Sequence, residues 1–61
     1  MRITDRTTSS ELNSIEIGDE VTFGIKKGLV FRIIVFKYPS EDCFYFLLIN
    51  GEHIITKKAR I

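Results

Sequence analysis

Between Cys43 and Ile49 the chain runs CFYFLLI without a polar residue. Side chains of a strand alternate between two faces, so such a run demands burial on both. A chain of 61 residues has little material for either face, because a domain of roughly this size buries only about 60% of the surface its unfolded chain exposes. Small domains make up the deficit with disulfides, a structural metal or association. Cys43 is the only cysteine, so no internal disulfide forms, and with His53, the only histidine, it falls short of four zinc ligands. No metal or other cofactor is expected, and association with another chain remains.

Turn residues divide the chain into short strands. Gly18-Asp19 makes a turn into a first strand in which Val21, Phe23 and Ile25 alternate with Thr22 and Gly24. Lys26-Lys27-Gly28 reads as the next connection, with Gly28 supplying a positive φ. Leu29 to Lys37 is a second strand, rich in β-branched and aromatic residues. Leu29, Phe31, Ile33 and Val35 share one of its faces; Val30, Arg32, Ile34 and Phe36 share the other. Pro39 and its polar neighbours break the strand, and Cys43 to Ile49 forms the third.

Asn50-Gly51 is the strongest local signal, since both central residues of a type I′ turn need φ > 0. A two-residue turn there sets Leu48 opposite His53, Leu47 opposite Ile54 and Phe46 opposite Ile55. Phe44, Phe46 and Leu48 then share a face with Ile55. Lys57 to Ile61 closes the chain as a short turn and a last strand with Ile61 tucked in. Residues 1 to 14, mostly Thr, Ser, Asn and charge, form a leader that is flexible or makes one helical turn. Thr8-Ser9-Ser10-Glu11 fits a capping box for such a turn. The expected organisation is a leader over 1–14 and a mostly β domain over 15–61: a small barrel of four to five antiparallel strands.

The succession IGDEV, KKG with LVFRI, a second long strand, NG and a short last strand resembles the SH3-like barrels of KOW and Tudor modules. The likeness covers Ile15 to Ile61. It implies binding of proteins, peptides or nucleic acids through loops and one sheet face. A Tudor-like use would draw on Tyr38, Phe44 and Tyr45 as a cage; a KOW-like use would draw on the loop around Lys26, Lys27 and Gly28.

No residue cluster identifies a reaction, and the chain is expected not to be an enzyme. In the register above Cys43 and His53 point to opposite faces, so they make no nucleophile and base pair. Glu41-Asp42 and Asp19-Glu20 are adjacent loop acids without an apolar setting to raise a pKa. Gly18, Gly24 and Gly28 lack the spacing of a phosphate loop. No apolar stretch approaches the roughly 20 residues of a membrane span. Neither membrane nor small-molecule substrate is expected, and the lone cysteine with no signal-like segment points to the reducing cytosol.

The apolar surplus carries the functional expectation. With Phe31, Ile33 and Val35 inward against Phe44, Phe46 and Leu48, and Val35 paired with Phe44, the residues Val30, Ile34, Phe36, Tyr45, Leu47 and Ile49 lie outside, Ile54 among them. So many large apolar residues exceed what solitary monomers expose. They mark a protein-binding face, anchored by Arg32 and Lys37, for a larger protein or a second copy of the chain, as in adaptors and inhibitors. Ile3, Leu12 and Ile15 folding back over part of it is the competing possibility. The alternative function is nucleic-acid binding. Residues 1–23 carry a net −3 and residues 24–61 a net +4, so Lys26, Lys27, Arg32, Lys57, Lys58 and Arg60 with neighbouring aromatics are its candidate contacts.

Overall fold

The computed structural model describes residues 1–59; Arg60 and Ile61, and with them the expected burial of Ile61, lie outside the described residues. Its elements are α1 (Ser9–Asn13), β1 (Glu20–Phe23), β2 (Lys26–Lys37), β3 (Glu41–Leu48) and β4 (His53–Ala59). The strands form one antiparallel sheet in the order β1-β2-β3-β4. The expectation of a mostly β chain of four to five antiparallel strands holds, with four. Closure into a barrel does not: among the described residues β1 and β4 are not paired.

Three turns set the registers. The Gly18-Asp19 turn delivers the chain into β1, with the Glu16 N–H donating to the Asp19 carboxylate at 2.9 Å. The first hairpin turns at Gly24-Ile25, not at Lys26-Lys27-Gly28 as expected. Gly24 has φ +62 and Ile25 no positive φ, the pattern of a type II′ turn with glycine first. Lys26, Lys27 and Gly28 therefore belong to β2. Gly28 fits there because a Cβ would stand 3.2 Å from the Asn50 amide and 3.4 Å from Leu48.

The last hairpin also departs from expectation. Asn50 has no positive φ, whereas Gly51 has φ +89. The Gly51 N–H donates to the Leu48 carbonyl at 3.0 Å, and the Leu48 N–H to the Glu52 carbonyl at 2.9 Å. That is a three-residue loop, a type I turn followed by a glycine bulge. One extra loop residue slips the register by one: Phe46 faces Ile54, Tyr45 faces Ile55 and Leu47 faces His53. A one-residue slip exchanges faces. Ile54, not Ile55, accordingly joins the core, fully buried, while Ile55 is 53% exposed.

A second irregularity lies in β2. Val35 pairs with Phe44 as expected, and Ile33 with Phe46, but Val30 pairs with Leu48 and Arg32 with Leu47. Phe31 is thus an extra residue in a β-bulge. The bulge interrupts the alternation, so Val30 and Ile33 both turn inward. Val30 is 1% exposed and Phe31 56%, the reverse of the sequence expectation for both.

The core comprises Val21, Val30, Phe44, Phe46, Leu48 and Ile54 of the sheet with Ile3, Leu12 and Ile15 laid across them. The leader is held at several points. Ile3 N–H donates to the Thr22 carbonyl at 2.7 Å and Thr22 N–H to the Met1 carbonyl at 2.9 Å, along the free edge of β1. Lys58 Nζ donates to the Asp5 carbonyl at 2.7 Å. The leader therefore packs on the Phe44–Phe46–Leu48 face, and leaves the Tyr45–Leu47 face alone.

The capping box of α1 is formed as expected. The Glu11 N–H donates to Thr8 Oγ1 at 3.1 Å and the Thr8 N–H to Glu11 Oε1 at 2.9 Å. The Thr8 backbone bond, then the Thr8 hydroxyl, hold the exposed Glu11 carboxyl below its ordinary pKa. A depressed carboxylate pKa contributes stability above the unfolded value that is lost as pH falls through the folded one. Glu11→Ala is therefore expected to lower the urea midpoint at neutral pH, with a deficit that shrinks on acidification through that range. A deficit independent of pH would show that the carboxylate's charge carries none of the loss, since Ala is the better helix former.

Candidate sheet-face site

The sheet face away from the leader is built as three cross-strand rows. Arg32, Leu47 and His53 form one; Ile34, Tyr45 and Ile55 the next; Phe36, Cys43 and Lys57 the third. β2, β3 and β4 supply one residue each to every row, and alternation aims all of them outward. Arg32, Ile34, Phe36, Tyr45 and Leu47 line a shallow groove of about 240 Å³. The bulged Phe31 joins Leu47, Ile49 and Gly51 around an adjoining groove of about 360 Å³. Leu47 belongs to both, so the grooves make one strip along β3.

The strip is apolar in its middle and polar at its flanks. Tyr45 and His53 are locked together by a hydrogen bond between the phenol oxygen and Nδ1, with their rings edge to face at 5.3 Å. Phe36 stacks on Tyr38 at 6.5 Å. Phe36 remains 46% and Ile49 63% exposed. The cationic side chains of the three rows are Arg32 and Lys57, and Glu41 lies just beyond the third row, in register with Ala59.

Of the sequence-derived binding residues, the structure brings together Arg32, Ile34, Phe36, Tyr45 and Leu47, with Ile49 beside them at the loop. It removes two. Val30 is buried in the core because of the bulge, and Lys37, opposite Asp42, alternates onto the other face. It adds Ile55, His53, Lys57 and Phe31. The slipped hairpin turns the first three outward, and Ile54-Ile55 is an identical pair, so composition gives no means of telling which of them faces the core. Phe31 is invisible for a similar reason, because any position of an apolar run accepts a bulge.

The nucleic-acid candidates do not assemble. Lys26 Nζ donates to the His53 carbonyl at 2.7 Å, Lys27 stands 4.0 Å from Glu20, and Lys58 holds the leader. Arg32 and Lys57 lie on the outer face, and Arg60 is outside the described residues. The Tudor-like cage is not formed either, since Phe44 is buried on the opposite face from Tyr45. Nor is the KOW-like loop, because Lys26 to Gly28 are strand. Cys43 and His53 share a face after all, but lie four strand positions apart, about 13 Å, with Tyr45 between. Glu41 and Asp42 begin β3 instead of occupying a loop. Among the described residues no group of three His, Cys, Asp or Glu side chains is placed to hold a metal, and no helix is long and apolar enough to cross a membrane.

These features define a class: a small antiparallel β module with one sheet face covered by its own N-terminal segment and one left open. Beyond the class the comparisons are empty, for no protein-family model, no curated protein and no solved structure matches the chain.

Proposed function

We propose that this chain is a small non-enzymatic binding module that engages a protein partner, a larger protein or a second copy of itself, through the outer face of β2, β3 and β4. One observation carries the reading. The N-terminal segment covers the Phe44–Phe46–Leu48 face and leaves the opposite face with Phe36 at 46% and Ile55 at 53% exposure. Contiguous apolar surface with aromatics in its middle and an arginine at its flank is the composition in which interface energy concentrates. In a reducing compartment Cys43, buried within this face, remains an apolar thiol.

Ile34→Glu tests the proposal, because it places a charge at the centre of the groove and leaves the core untouched. The variant is expected to keep the circular dichroism of the parent. It is also expected to lose the parent's self-association in sedimentation velocity, or its retention of a partner on an affinity column. A parent that is monomeric at high concentration, with no partner whose retention depends on Ile34, overturns it.

A further inference from the structure

The outer strip has a size and a charge pattern that together specify its occupant. Cys43 to Leu48 is five strand steps and Ile49 follows at the loop, so the strip is about 20 Å long at the usual rise per residue. Three strands about 4.8 Å apart make it roughly 10 to 14 Å wide. Its plan area is therefore only about 200 to 300 Å². A stable interface between two folded proteins needs about 800 Å² of accessible surface from each, close to a fifth of the 4355 Å² this chain exposes. Side-chain relief that doubled the plan area would still fall short. A second copy laid face to face would also set cations against cations, since Arg32 and Lys57 flank the strip, whose carboxylate, Glu41, sits at its end.

A single helix fits where a folded domain does not. About 13 residues of α-helix span 20 Å, and with side chains the helix is about 10 Å across. A sheet face is also the surface on which a helix buries its apolar stripe in layered folds. In this molecule the leader with α1 supplies such a layer on one side alone. Resting on the binding reading above, we infer that the partner's contribution is one amphipathic helix, about 13 residues long. Its apolar stripe lies along Phe36, Ile34, Tyr45 and Leu47, and carboxylates beside the stripe meet Arg32 and Lys57.

A phage-displayed library of random 16-residue peptides, panned on the full chain and counter-panned on Ile34→Glu, tests this. The expected binders carry apolar residues at i, i+3 or i+4 and i+7 with Asp or Glu beside them, and gain helicity on binding. Arg32→Glu with Lys57→Glu is expected to weaken them about tenfold, as loss of two flanking charge pairs implies. Ile34-dependent binders that are extended or carry no acidic residues overturn the helix inference and leave the binding module standing. So does a dimer abolished by Ile34→Glu with no peptide selected. No Ile34-dependent peptide and no Ile34-dependent association removes both. Selective retention of single-stranded RNA by the parent over Arg32→Glu, Lys57→Glu, with no peptide selected, replaces the helix by a nucleic acid.

Discussion

Deleting residues 1–14 is expected to leave a chain that does not fold. Ile3 and Leu12 are each 1% exposed, and truncating a single buried Leu or Ile to Ala costs about 2–5 kcal/mol. Losing both removes about 4 kcal/mol or more, before counting the main-chain bonds from Ile3 and Thr22 along the edge of β1. Set against that, a domain of this length has a total stability of only about 3–9 kcal/mol. The truncated chain would moreover expose Phe44, Phe46, Leu48 and Ile54 together. Collapse of amide dispersion in the nitrogen–proton correlation spectrum checks it. A truncated chain with a dispersed spectrum would show that the sheet stands without its cover. Leu12→Ala in the full-length chain separates packing from chain length, with an expected loss of about 2–5 kcal/mol in urea unfolding.

The role of that segment marks where the sequence was legible. Its local structure was readable: Thr8 and Glu11 at capping-box spacing form the cap. Its tertiary role was not, because two apolar residues, Ile3 and Leu12, in a polar stretch look the same whether they dock or not. For the sheet, strand number, the Val35–Phe44 pairing and the inward set Phe44, Phe46, Leu48 followed from alternation and turn chemistry. What alternation cannot supply is an insertion in the count. Asn-Gly suits both a two-residue and a three-residue hairpin, and the bulge at Phe31 leaves no compositional trace. Each adds one residue and reverses a strand's faces. That is why Val30 and Ile54 were expected on the binding surface and lie in the core. The outward placement of Arg32, Ile34, Phe36, Tyr45 and Leu47 was legible because these residues lie between the two irregularities.

Phe46 and Leu47 are neighbours in one apolar run, and substituting each by Ala is expected to give opposite phenotypes. Phe46 is fully buried, lies parallel to the Phe44 ring with centroids 6.5 Å apart, and pairs with Ile33 and Ile54 across the sheet. Phe46→Ala opens a cavity that a small core cannot refill, at a cost of about 3–5 kcal/mol. In a domain with about 3–9 kcal/mol in total, that shifts the population toward unfolded at room temperature. Leu47 faces the other way, half-buried between Arg32 and His53 and lining both grooves. Leu47→Ala removes contacts that are already part-solvated, so its stability cost is expected to stay below about 1 kcal/mol, on the scale of substitutions made away from the core. Its effect is expected in partner affinity. Urea unfolding of both variants, with affinity measured on Leu47→Ala, checks the pair. Equal destabilisation by the two would mean that the outer face is packed in the free chain, and would remove the ground for treating it as a binding surface. In the run from Cys43 to Ile49 one face holds the core and the other lies outside it; this pair of variants measures the two separately.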